Sequence, residues 1–181
     1  MTVYIALLRG INVGGKRMKM DDLRDVFAEL GFENVQTLLA SGNVAFQSDA
    51  SDRAQVAAQI EAGIRQKFGF ESRIIIRTAE EIQQVIQNHP FSEDHMADEG
   101  KLLVMFMGEA PSSEAVTALK EAHAGPEVTH ISGPEAYIVY PDGMGRSKLT
   151  NNFIEKHLKV TGTGRNWKTV NKLRDLADSF K

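Results

Sequence analysis

Sequence periodicity predicts an α+β chain. Three observations carry that reading: the order β-α-β-β-α-β over residues 1–77, the return of β-α-β-β from residue 101, and a tight-turn signal between adjacent strands in each half. The expected fold is two ferredoxin-like (βαββαβ-type) halves with antiparallel sheets, plus C-terminal helices. The first half takes residues 1–77, a helical connection 78–100, and the second βαββ half with the C-terminal helices 101–181.

Val3 to Leu8 is a short apolar run, expected as a buried strand, and a glycine-rich loop follows it. From Asp21, the residues Leu23, Val26, Phe27 and Leu30 fall on one helical face, and Gly31 supplies a stop. Val35 to Ala40 and Val44 to Gln47 read as strands joined through Ser41-Gly42-Asn43. A helix from about Asp52 to Phe68 buries Ala57, Ile60, Ile64 and Phe68 and ends at Gly69. Arg73 to Arg77 is the next strand. Thr78 and Glu81 have the spacing of a capping box and open a helix through Ile82, Val85 and Ile86 that Pro90 closes.

An acidic, irregular segment is expected from Phe91 to Glu99. The pattern then resumes with a strand at Lys101 to Met107, a helix at Ser113 to His123, and strands at Val128 to Ile131 and Ala136 to Tyr140 around Ser132-Gly133-Pro134. The remainder is expected to be helical around a glycine-rich break at Thr161 to Gly164, with Asn166 as N-cap and Val170, Leu173, Ala177 and Phe180 on the buried face of the last helix.

Composition narrows the chemistry. With 181 residues and 42% of them hydrophobic, the chain can bury a core without disulfides. It has no cysteine, which excludes thiol nucleophiles, zinc-thiolate sites and iron–sulfur clusters. The N-terminal apolar run is too short for a signal core or a membrane span, so a cytoplasmic location and no membrane partner are expected. The net charge of −3 hides basic ends: residues 1–20 carry Arg9, Lys16, Arg17 and Lys19 with no acid, and residues 146–181 carry nine bases against Glu155, Asp175 and Asp178. Basic surface on an acidic body attracts phosphates.

Three basic segments stand out. Gly10-Ile11-Asn12-Val13-Gly14-Gly15-Lys16 has the glycine and lysine spacing of a phosphate-binding P-loop. Arg17, however, stands where a magnesium-binding Ser or Thr is required, and the element order is not a parallel βαβ array. What survives is an anion nest of glycine amides, Gly14 and Gly15 among them, beside Lys16. The second segment, Tyr140 to Thr150, carries Arg146, Ser147 and Lys148 between a strand end and a helix. The third places Arg165, Asn166 and Trp167 at the start of the last helix. Val3 to Leu8 also fits the first-strand motif of RNA-recognition domains, but Ser41 to Phe46 lacks the aromatic platform of the partner motif. The five histidines have no metal-ligand spacing, and no metal site is expected.

Taken together, Leu7 to Lys16, Ser41 to Val44, Ser147 to Thr150 and Arg165 to Leu173 resemble the bacterial domain-of-unknown-function 1697 family, along nearly the whole chain from Tyr4 to Leu173. His89-Pro90-Phe91 departs from the Asn-Pro-Phe of that pattern. The resemblance implies a small cytosolic bacterial protein of two ferredoxin-like halves, and implies no reaction, ligand or cofactor.

The functional expectation is binding of a phosphate-bearing small molecule, nucleotide or nucleic acid. Arg9, Lys16, Arg146, Lys148 and Arg165 supply charge, Asn12, Asn43 and Asn166 supply amides, Ser41 and Ser147 supply hydroxyls, and Trp167 offers a stacking face. The alternatives are an enzyme acting on a small phosphorylated or carboxylated metabolite, with Ser41, Ser147 or a carboxylate moving the proton, and a homodimeric assembly module. The oligomeric state is left open.

Overall fold

The computed structural model describes residues 1–181. The chain forms two compact units, one of residues 1–84 together with 172–181, the other of residues 85–171.

In the first unit the order is β1 (Thr2–Leu8), α1 (Met20–Glu29), β2 (Glu33–Leu38), β3 (Asn43–Ser48), α2 (Arg53–Phe68) and β4 (Ile74–Thr78). The sheet runs β2-β3-β1-β4, and every neighbouring pair is antiparallel. This is the ferredoxin-like arrangement that the element order predicts. Alternation along β1 sends Tyr4, Ala6 and Leu8 into one core with Val44, Phe46, Ile74 and Ile76. Leu23, Val26 and Phe27 of α1 and Val56, Ile60 and Ile64 of α2 close that core. Phe27, Phe32 and Phe46 meet at its centre, with ring centroids 4.7–5.9 Å apart. Gly63 lets the two helices approach, since a Cβ there would stand 2.9 Å from Val26 Cγ1.

The local signals work as the chemistry requires. Asp52 caps α2 by accepting from Gln55 N at 3.1 Å, and Gly69 ends it with a φ of 76°. Thr78 and Glu81 form the reciprocal capping box, at 2.8 and 3.2 Å, that opens α3 (Ala79–Gln87).

Residues 91–99, expected to be irregular, hold a short helix, α4 (Glu93–Met96), and lead into a 3-10 turn (Glu99–Lys101) that takes in Lys101, expected as the first strand residue. Sequence reading passes over α4 because its capping box uses His95 where Glu or Gln is usual. Ser92 N donates to His95 Nδ1, and His95 N to Ser92 Oγ.

The second unit repeats the order with β5 (Leu102–Met107), α5 (Ser113–Ala122), β6 (Val128–Ser132), β7 (Glu135–Val139), α6 (Asn151–Leu158) and β8 (Gly162–Asn166), before α7 (Trp167–Asp178). Its antiparallel sheet runs β6-β7-β5-β8, the same order as in the first unit. Here the expectation of a helical tail around a glycine break is corrected: the glycines lie in a strand, and the second half is a full βαββαβ. Gly162 and Gly164 pair with Met107 and Met105 of β5. A Cβ on Gly164 would stand 3.1 Å from Leu103 Cδ1, and one on Gly162 3.1 Å from the Phe106 carbonyl oxygen. Glycine here answers close packing rather than a turn.

Candidate functional site

Three amides that flank the glycines of the β1–α1 loop are bonded within the loop itself. Asn12 N donates to Lys16 O at 2.6 Å, Lys16 N to Val13 O at 3.2 Å, and Arg17 N to Gly15 O at 3.0 Å. The Asn12 side chain, in a residue with a φ of 54°, is a latch: its Oδ1 accepts from Met18 N at 2.8 Å and its Nδ2 donates to Ala40 O at 2.7 Å. Asn43 is fully buried and donates to Leu38 O at 2.7 Å and Ser41 Oγ at 3.1 Å. Of the predicted residues in this unit, Ser41, Gly14, Gly15 and Lys16 are exposed and Arg9 is half-buried. Lys16 Nζ reaches Glu71 O at 3.3 Å. The glycine loop and the Ser41 turn are therefore brought together, and the contacts named here are structural ones.

Arg165 lies in β8, 6% exposed, and donates to Thr163 Oγ1 at 2.7 Å and Gly164 O at 2.9 Å. Burial pushes its guanidinium down to about 10, which leaves it charged at neutral pH. Asn166 is the expected cap, accepting from Thr169 N at 2.9 Å. Trp167 is 2% exposed and packs edge-on against His89 and Phe91, with centroids 5.3 Å away in each case. The exposed charge and stacking face expected of Arg165 and Trp167 are thus replaced by interior packing.

The third segment differs. Arg146, Ser147 and Lys148 line a cavity of about 840 Å³ in the second unit, together with His123, Glu127 and Asp142. That volume is in the range of small-molecule sites. The cavity is built where the end of α5, the connection to β6 and the β7–α6 loop meet. Pro141 and Asp142 occupy a turn closed by Gly143 N donating to Tyr140 O at 3.0 Å, and Gly143 takes a φ of 85°. Arg146, Lys148 and Asp142 are exposed, and none of the three takes part in an ion pair.

Glu127, with its side chain 7% exposed, accepts a hydrogen bond from the Ser147 hydroxyl, whose oxygen in turn accepts from Leu149 N at 3.0 Å. Its other oxygen, Oε2, lies 3.1 Å from His123 Nε2, an ion-pair contact in which neither atom makes a directed hydrogen bond. Gly125 seals this pair: a Cβ there would collide with Oε2 and stand 2.8 Å from His123 Cε1. The Ser147 hydrogen bond holds the Glu127 carboxyl below the ordinary 4.5, against the opposing effect of burial, with its own backbone amide and the His123 charge assisting. Behind it, Tyr140 donates to Leu149 O at 2.9 Å. Burial and then the charge of Glu127 push that phenol up to about 12, so it stays neutral.

A depressed carboxyl stabilises the fold above its unfolded value, and that contribution is lost as pH falls through the folded value. Glu127→Gln should therefore melt lower than the parent at pH 7, with the gap closing as pH falls below 4.5. Melting curves from pH 7 to 3 check this, and a gap that is constant with pH would contradict it.

Sequence reasoning missed His123 and Glu127. They straddle a helix end across Ala124-Gly125-Pro126, where no periodicity marks them; the only available signal was their i,i+4 spacing.

The sequence model of the family described as "Protein of unknown function (DUF1697)" matches residues 1–137. Among solved structures, the chain is similar to the conserved bacterial protein SP0830 from Streptococcus pneumoniae, with a TM-score of 0.73 and 26% sequence identity over 98% of this chain and 99% of that one. That likeness extends past the end of the family match. No curated protein matches the chain.

Proposed function

The chain belongs to the DUF1697 family of proteins of unknown function, and on that footing we propose that it binds a small phosphate-bearing ligand in the cavity of its second unit. The observation that carries this reading is the placement of Arg146, Ser147 and Lys148 on one concave surface of about 840 Å³. Arginine and lysine both pair with phosphate oxygens through charge-assisted hydrogen bonds. A concave site of this size suits a small molecule better than a nucleic-acid backbone, which calls for an extended basic stripe. The β1–α1 loop is the weaker candidate, because the amides that flank its glycines, those of Asn12, Lys16 and Arg17, are bonded to the loop's own carbonyls, and the Asn12 side chain is spent as a latch.

An enzyme reading draws on the contact between Ser147 and Glu127. It ranks second for a physical reason. A general base works best with a pKa near the operating pH, and Glu127 is held below the usual carboxylate value.

The test is calorimetric titration of the protein with inorganic phosphate, a sugar phosphate and a nucleoside monophosphate. The double variant Arg146→Ala/Lys148→Ala should weaken binding about 100-fold, taking roughly tenfold for each charge-assisted contact. Both residues are exposed, so the melting temperature should stay within about 2 °C of the parent. Arg9→Ala/Lys16→Ala should leave affinity unchanged. Absence of heat with all three probes, or loss of binding only in the Arg9/Lys16 variant, would overturn the proposal.

A further inference from the structure

The cavity carries both signs of charge, held apart. Arg146 and Lys148 are cations on its wall, and Asp142 is a carboxylate on the same wall, yet none of the three pairs with another. Elsewhere on the surface, acids and bases within reach of each other do pair, as Lys101 does with Asp98 at 3.1 Å and Arg53 with Glu81 at 3.0 Å. Asp142 and Arg146 stand four residues apart in one loop, with Asp142 inside the turn closed by Gly143 and Arg146 beyond it. Glu127 and His123 also line the cavity, but as a contact pair 3.1 Å apart. The Glu127 carboxylate is committed to Ser147 and to the His123 contact and is shielded by Gly125, which leaves Asp142 as the acid that can meet a ligand.

The balance matters for what the cavity accepts. Two cations favour a phosphate, while the Asp142 carboxylate beside them penalises a ligand that is anionic throughout. A ligand with a positive group beside its phosphate satisfies both. We infer that the ligand is a small zwitterion, a phosphate monoester carrying an ammonium group a few bonds away, with the phosphate at Arg146 and Lys148 and the ammonium at Asp142. This rests on the phosphate-binding reading above and adds the cationic group to it. Asp142 is the residue that sets the specificity: it contributes little to the fold and distinguishes an aminated phosphate from a plain one.

The experiment compares O-phosphoethanolamine with ethyl phosphate, which has the same phosphate and carbon chain but no amine, in calorimetric titrations of the full chain. O-phosphoethanolamine should bind about fivefold tighter, the effect of one partly solvated ion pair. Asp142→Asn should bring the two ligands to parity by weakening only the aminated one, with its melting temperature unchanged. Asp142→Ser should do the same. Equal affinities in the parent, with both ligands lost in Arg146→Ala/Lys148→Ala, would overturn the zwitterion inference and leave phosphate binding standing. Binding of neither ligand would overturn both, and a preference that survives both Asp142 substitutions would remove Asp142 from the role.

Discussion

Trp167→Ala is expected to cost about 3–5 kcal/mol of stability, the range for removing a fully buried large aromatic side chain. Trp167 is 2% exposed, and Phe91 meets it edge-to-face at an interplanar angle of 87° while His89 stands at 73°. Phe91 itself packs edge-on against Tyr137, with centroids 5.8 Å apart, so the indole belongs to a connected aromatic cluster in the second unit. Its deletion leaves a cavity that those rings can fill only in part. Thermal denaturation should show a fall of roughly 10 °C in a chain of this size. Trp167→Phe should recover about half of it, because a ring is retained. The opposite pattern, a normal melting temperature with ligand affinity lost, would make Trp167 a stacking face for a ligand.

Gly42→Ala is expected to cost about 3 kcal/mol, through two separate effects. Gly42 has a φ of 83°, a conformation that costs an L-residue about 1–2 kcal/mol. The new Cβ would also stand 2.6 Å from Ile11 Cδ1 and 2.8 Å from Leu8 Cβ. Ile11 can yield at the end of its side chain, but Leu8 is a β1 residue with no exposed surface, so overpacking adds about 1–2 kcal/mol. The β2–β3 turn is bound to this place, since Leu8 N donates to Gly42 O at 2.9 Å and Asn12 Nδ2 to Ala40 O. Urea denaturation measures the loss. By contrast Gly14→Ala, at a φ of 57° with nothing within 4 Å, should cost only the backbone part. Equal losses at the two positions would show that close packing around Gly42 contributes nothing.

Much of the fold was legible in the chain because side-chain periodicity and local capping report on it directly. Leu23, Val26 and Phe27 mark α1, Gly69 ends α2, and Thr78 with Glu81 announces α3. β8 was not legible, for a specific reason. A strand is recognised by alternating side chains, and Gly162 and Gly164 have none. Its conformation is set by pairing with β5, whose side chains leave no room for a Cβ.

The same limit explains the candidate site. Arg146, Ser147 and Lys148 were legible as a compact basic turn between a strand and a helix. Arg165 looked equivalent by residue type, but it lies in a buried strand that the sequence hid. His123 and Glu127 were illegible because their contact with the Ser147 loop depends on where α5 and β6 place them. Asn12 and Asn43 resembled ligand-binding amides in a glycine-rich context, and in the fold their donors are spent on backbone carbonyls and a neighbouring hydroxyl.

The measurement that tests the central claim most directly is an amide NMR titration of the labelled protein with inorganic phosphate. The account predicts saturable shifts at Gly143, Arg146, Ser147 and Lys148 and at Gly125 and Glu127, which line the cavity, with Gly10 to Arg17 unmoved. Shifts confined to Gly10 to Arg17, or no saturable shift anywhere, would contradict it.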